Sequence, residues 1–206
     1  MFEIKPIEEH DYDEILALNE SNVPHVNSID RNELKSLGEQ SSAFIKVVEA
    51  GRLAGLVIAL APGQTYQSMN YRWFSENFEQ FLYIDRIMVS PDFRRRGVAT
   101  LIYDELGQVC QQAGLQRLTC EVNIMPPNPG SLALHESIGF IQAGTQKTDG
   151  GKKEVSLSDE LDYVIKLLNL EDQISGHRFK VEIRGDPKIK IAPLLLVSLV
   201  EKIITH

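Results

Sequence analysis

Apolar residues recur along this chain at two spacings, and the spacing separates its elements. Residues 2–7 alternate as a short strand. In residues 11–19, Tyr12, Ile15, Leu16 and Leu18 fall at helical spacing, with Asp11 in the place of an N-cap. Residues 30–37 read as a second short helix, ended by Gly38. Two strand-like runs follow, 43–49 and 53–60, and Ala50-Gly51-Arg52 between them has the composition of a hairpin turn. Residues 62–80 read as a long loop. It carries Tyr66, Tyr71, Trp73, Phe74 and Phe78, more aromatics than a solvated linker would hold, so it either packs on the body or lines a site.

The second half is more regular. Residues 81–89 form an apolar strand broken by Ser90-Pro91-Asp92. Residues 98–113 carry Leu101, Ile102, Leu106, Val109 and Cys110 as a helical stripe that Gly114 closes. A strand over 118–122, a Pro-rich turn over 125–130 and a helix over 131–138 come next, the helix ending at Gly139. Residues 140–145 and 153–157 make a last strand pair around Asp149-Gly150-Gly151. The order predicts one mixed α/β (α+β) domain over residues 1–157, antiparallel in its front half, with strand-helix-strand crossovers behind. Residues 158–206 read as a small helix-strand-helix extension. Leu161, Val164, Ile165 and Leu168 mark a helix over 158–169, a strand covers 179–183, and a second helix, apolar on more than one side, covers 194–204.

Composition narrows the function. The 206 residues are 43% hydrophobic and 24% charged, which suits a packed globular core. A net charge of −8 removes the counterion release that drives nucleic-acid binding and mildly favours cationic or amine substrates. Cys110 and Cys120 form no C-x-x-C pair and have no zinc-spaced histidines, so they read as buried structural thiols and no metal is expected. The N-terminal residues lack the basic and apolar regions of a signal peptide, and the longest apolar run, 191–200, is interrupted by Pro193 and Ser198. The expectation is a cytoplasmic protein with no membrane partner.

The main chemical motif is Val89-Ser90-Pro91-Asp92-Phe93-Arg94-Arg95-Arg96-Gly97-Val98-Ala99: a strand ends, a turn follows, and a helix opens at a glycine. Unpaired N–H groups and the positive dipole end at a helix start bind phosphate oxygens, and Gly97 and Ala99 leave room for close approach. Arginines add charge where an anion would sit. This string resembles the Arg/Gln-x-x-Gly-x-Gly/Ala signature of the GNAT superfamily of N-acetyltransferases, in which the turn holds the pyrophosphate of acetyl-CoA. Ile87-Met88-Val89-Ser90-Pro91 is similar to the strand that leads into that turn. Asn128-Pro129-Gly130-Ser131-Leu132-Ala133-Leu134-His135-Glu136-Ser137-Ile138-Gly139-Phe140 is similar to the family's second cofactor segment. The resemblance covers about residues 2–157 and implies a mostly antiparallel central sheet flanked by helices. The 126–131, 71–74 and 83–86 segments look like a poorly characterised bacterial branch of predicted acetyltransferases.

The resemblance implies direct acetyl transfer to a small-molecule or peptide amine, with acetyl-CoA as co-substrate. It implies cofactor contacts from Ile87, Met88 and Val89, with an oxyanion-stabilising backbone N–H near Met88. It implies further contacts from Arg94 to Ala99 and from Asn128 and Ser131. His135 stands where the family often has an acid tyrosine; histidine can donate a proton near neutral pH, or it is an ordinary helix residue. Tyr83 is another candidate acid. Strand alternation places Asp85 on the face of Tyr83 and Ile87, as a base, as an anchor for a cation, or as the partner of an arginine. Glu121 and Asn123 share a face where their strand should diverge from its neighbour, Glu121 as a substrate contact and Asn123 as a cofactor or substrate contact. Tyr71 and Trp73 are candidate acceptor walls, or plain packing.

The extension resembles the start of the ATPase domain of LytS-type sensor histidine kinases, through residues 157–161, 178–183 and 191–206. Lys202 stands where that family's nucleotide-binding Asn belongs, so kinase activity is not expected. The resemblance leaves a packing or dimerisation role, and a homodimer through the extension is one expectation. A second functional reading is a CoA-binding sensor or interaction module with weak catalysis.

Overall fold

The computed structural model describes residues 1–160, which form one compact unit. The helix, strand and dimerisation expectations for residues 161–206 lie outside the described residues. Seven strands form one sheet in the order β1-β2-β3-β4-β5-β7-β6: β1 Glu3–Pro6, β2 Ala43–Glu49, β3 Arg52–Leu60, β4 Phe81–Val89, β5 Arg117–Met125, β6 Phe140–Thr148 and β7 Lys153–Glu160. Each neighbouring pair is antiparallel except β4 with β5. That parallel pair needs a crossover, which α4 (Val98–Ala113) supplies.

The other helices are α1 Tyr12–Glu20, α2 Arg31–Gln40, α3 Met69–Asn77 and α5 Pro129–Ser137. Asp30 caps α2 by accepting from the Glu33 N–H at 2.9 Å, and the Glu33 carboxylate accepts from the Asp30 N–H at 2.8 Å. Gly38 does not end this helix. A Cβ there would stand 2.9 Å from the Phe44 ring, so the glycine is the site of close helix-to-strand packing. Asp11 precedes α1 but makes no cap. Its carboxylate accepts from the Glu8 N–H instead and pairs with Lys46.

Two further expectations fail. The aromatic loop contains α3, opened by Ser68 and packed through buried Tyr71 and Phe74. Residues 158–160 continue β7, because they pair with β5 and β6, so no helix begins at Ser158.

The main core lies on one face of the sheet. Ile15 and Leu18 of α1, Leu34 and Leu37 of α2, and Tyr71 and Phe74 of α3 meet Leu56, Ile58, Leu60, Phe81, Tyr83 and Leu157 there. Buried Ile102, Leu106 and Cys110 give α4 its stripe. Gly55 of β3 faces the start of α4: a Cβ at Gly55 would lie 2.8 Å from the Met88 carbonyl oxygen and 2.9 Å from a Val98 methyl. Backbone cannot yield as a side-chain tip can. Gly55→Val is therefore expected to destabilise the fold by about 1–3 kcal/mol, read as a lower denaturant midpoint at unchanged m-value. An unchanged midpoint would contradict this packing.

Candidate active site

Strand β4 carries one extra residue against β3. Ile58 pairs with Arg86 and Ala59 with Ile84, so Asp85 is a bulge. The bulge shifts the alternation. Tyr83, Arg86 and Met88 stand opposite Leu60, Ile58 and Leu56 of the main core face, and Ile87 falls on the other side. The predicted sharing of one face by Tyr83, Asp85 and Ile87 is thus broken after Asp85.

On its other edge β4 pairs with β5 only from Phe81/Arg117 to Ile84/Cys120. Both strands continue, but apart, and a cavity of about 1000 Å³ lies between and beyond them. Ile87, Met88 and Val89 line it from β4, and Cys120, Glu121, Val122 and Asn123 from β5. Among the described residues no strand covers the β5-facing edge of β4 beyond Ile84, which leaves its backbone groups there available to a ligand.

One end of the cavity is the start of α4. Gly97 takes φ 85°, a left-handed conformation that glycine adopts without strain, and it offers no side-chain cap. The first-turn N–H groups therefore have no capping acceptor, and Gly97, Val98, Ala99 and Thr100 line the cavity. Arg94 and Arg95 line it too. This arrangement fits a pyrophosphate, with fixed donors at a helix end and two cations beside them. Arg96 does not join them. Its guanidinium donates to both Glu49 oxygens at 2.8 and 3.0 Å and lies over the Phe2 and Phe93 rings, so it ties the turn to β2.

The second wall comes from α5. Asn128 caps it, its side-chain oxygen accepting from the Ser131 N–H, and Asn128, Ser131 and His135 line the cavity. His135 is buried, with Nδ1 2.7 Å from the Ser131 carbonyl oxygen and Nε2 2.7 Å from the Tyr103 hydroxyl. A carbonyl can only accept, so Nδ1 carries the hydrogen and Nε2 accepts from Tyr103. Burial lowers the His135 pKa, only partly offset by the Ser131 carbonyl. The ring is a neutral link between α4 and α5, with neither nitrogen free.

The deep wall holds two carboxylates in different states. Both oxygens of Asp85 are engaged: Oδ1 accepts from the Tyr66 hydroxyl at 2.5 Å and Oδ2 from Arg86 Nε at 2.7 Å. Burial disfavours the Arg86 charge, but Asp85 outweighs it and raises the arginine pKa. Asp85 is thus the partner of an arginine, the plainest of its three expected roles. Glu121 accepts from the Tyr83 hydroxyl at 2.9 Å on Oε1 alone; its buried Oε2 has no hydrogen-bond partner among the described residues. Burial first, and the Asp85 charge second, push the Glu121 pKa up to about 7, against the pull of the Tyr83 bond and the nearby Asn70 amide. A carboxyl at that value is half ionised at neutral pH and able to take a proton.

Other expected residues stand back from the cavity. Tyr83 is fully buried behind Glu121, and burial raises its pKa well above that of a free phenol. Tyr71 is a core residue whose hydroxyl donates to the Ala61 carbonyl, and Trp73 packs on Phe74, Phe78 and Gly144. Neither lines the cavity, whose wall includes Asn22, Asn27, Tyr66, Ser68, Asn70 and Lys153. Of these only Tyr66 carried a sequence signal, as one aromatic of a crowded run. The α1–α2 loop is fastened over the cavity by Asn123 donating to the His25 carbonyl at 3.2 Å, by Asn19 donating to the Asn27 carbonyl at 3.0 Å, and by Arg86 holding Asn19 at 2.6 Å. Among the described residues no cluster of His, Cys, Asp or Glu could hold a metal, and no helix is long and apolar enough to cross a membrane.

A family profile described as Acetyltransferase (GNAT) family matches residues 8–140, more than half of the chain. A curated relative, thialysine N-epsilon-acetyltransferase of Caenorhabditis elegans, is 22% identical over 96 residues, which is 47% of this chain. The matched region spans 59% of that relative's length. The ribosomal-protein-S18-alanine N-acetyltransferase of Escherichia coli is similar in structure, with a TM-score of 0.58 and 19% identity over 78% of this chain and 93% of that one. So is yncA of Salmonella typhimurium, a putative acetyltransferase solved with its cofactor acetyl-CoA, with a TM-score of 0.58 and 15% identity over 79% and 95% of the two chains. At these identities the likeness to solved structures is one of fold.

The two arginine environments make opposite predictions. Replacing Arg94 and Arg95 together with Ala is expected to weaken acetyl-CoA binding about tenfold or more, measured by calorimetry, because two charge-assisted contacts to phosphate are lost. Arg96→Ala is expected to leave that affinity nearly unchanged. The reverse order would overturn the assignment of the turn.

Proposed function

This chain belongs to the GNAT acetyltransferase family, and on that premise we propose that it moves the acetyl group of acetyl-CoA directly to an acceptor amine in a ternary complex. The observation that carries the reading is Glu121: a buried carboxyl with one unengaged oxygen, on the cavity wall where β4 and β5 part.

Acetyl-CoA supplies an activated thioester carbonyl, whose C–S bond breaks as the C–N bond to the amine forms. The residues of this chain divide the remaining work. The first turn of α4, with Arg94 and Arg95, holds pyrophosphate and so fixes the reach of the acyl arm. The uncovered edge of β4 near Met88 offers backbone N–H to the acyl oxygen as charge develops. The amine proton passes to the Glu121 carboxyl, which Tyr83 anchors through Oε1. Burial and the nearby Asp85 carboxylate raise the Glu121 pKa and keep it basic enough to accept that proton. The departing sulfur takes its proton from water in the cavity, since both nitrogens of His135 are engaged.

The role of Glu121 predicts a pH profile. Its proton must be off for it to act, so kcat/KM should fall as pH drops through about 7, the value to which its pKa is raised. Glu121→Gln should lower kcat/KM for an amine acceptor by about 100-fold, remove that limb, and leave acetyl-CoA binding intact. A variant of near wild-type activity, or one that keeps the limb, would remove Glu121 from the reaction.

A further inference from the structure

The acceptor end of the cavity has charges of opposite sign at its two limits. Deep inside is Glu121. At the mouth is Lys153, half-buried at the start of β7. Both belong to one face of the sheet: Glu121 stands opposite Leu157, Asn123 opposite Val155, and alternation puts Lys153 on the same side as those two. The Lys153 ammonium donates to the neutral side-chain oxygen of Asn27 at 2.7 Å, and no carboxylate pairs with it among the described residues. An ammonium has three donors, so that bond leaves two to spare.

The other charged groups around this end do not cancel the pattern. Asp85 and Arg86 neutralise one another 2.7 Å apart. Asp149 also lines the mouth, at the β6–β7 turn, and His25 lines it from the α1–α2 loop. The wall between is carboxamide and hydroxyl, from Asn22, Asn70 and Ser68.

We propose that Lys153 is a specificity residue that binds a carboxylate of the acceptor, so that the acceptor is an amine carried on a chain with an acidic group at its far end. This rests on Glu121 receiving the amine. The span sets the chain length. Leu157 and Lys153 are four residues apart, about 13 Å at the rise of an extended strand. An amine about five or six bonds from the carboxylate is matched to a backbone separation of that order.

The test compares 6-aminohexanoate with hexylamine, equal in reach and different in the terminal carboxylate. Turnover is read as CoA release, and binding by calorimetry in the presence of CoA. For the wild type, both kcat/KM and affinity should favour 6-aminohexanoate about fivefold or more. Lys153→Ala should erase the preference, Lys153→Glu should reverse it, and Lys153→Arg should retain it, each read as the ratio of kcat/KM for the two amines within one variant. Equal use of the two amines by the wild type, or a preference that persists in Lys153→Ala, overturns the proposal. A binding preference without turnover supports the acceptor assignment and removes the transfer reading. Turnover without a preference keeps the transfer reading and removes the acceptor assignment.

Discussion

Strands β4 and β5 run in parallel register from Phe81/Arg117 to Ile84/Cys120 and then part, and the site depends on that separation. Backbone groups that lose a strand partner must find another. Here they face a cavity of about 1000 Å³ rather than a third strand. The Asp85 bulge falls just where pairing stops, and bulges bend the strand that holds them. On the far side β5 is held by β7, so the divergence does not unravel the sheet. At the end of the diverging β4 the Ser90–Gly97 turn delivers the uncapped start of α4 to the same opening.

Low dielectric then sorts the polar groups. Asp85 has a partner on each oxygen, Tyr66 on one and Arg86 on the other. Glu121 is held by Tyr83 on one oxygen, has the Asn70 amide nearby, and has no hydrogen-bond partner on the other oxygen among the described residues; it is the group whose pKa is pushed into the neutral range. The two carboxylates differ in how fully the fold engages their oxygens. The same network reaches outward: Arg86 holds Asn19, Asn19 holds the backbone at Asn27, and Asn123 holds that at His25. The roof over the acceptor end is therefore set by residues beside the reactive carboxyl.

Much of this was legible in the sequence where one signal dominated. Apolar runs bounded by turn residues located β2, β3 and β4, a helical stripe located α4, and the glycine-opened helix after an arginine run located the anion end of the cavity. Four things were not legible. A bulge leaves no mark in an apolar strand, so the facing of Ile87 beyond it was inverted. Three consecutive arginines look alike in sequence, but the left-handed conformation at Arg95 and the carboxylate of Glu49 send Arg96 elsewhere. Tyr71 and Trp73 looked like pocket walls because the helix that buries them, α3, has no strong stripe of its own. Lys153 and Asn27 gained meaning only when the sheet brought them to one mouth.

The ionisation of Glu121 is the point on which the chemistry turns. The most direct measurement is a carbon-13 NMR titration of its side-chain carboxyl in the folded protein, with the resonance assigned by its loss in Glu121→Gln. Titration near pH 7 is predicted, well above the 4.5 of a free glutamate. Titration near 4.5 would mean a solvated carboxylate, and the site would then lack the base described here.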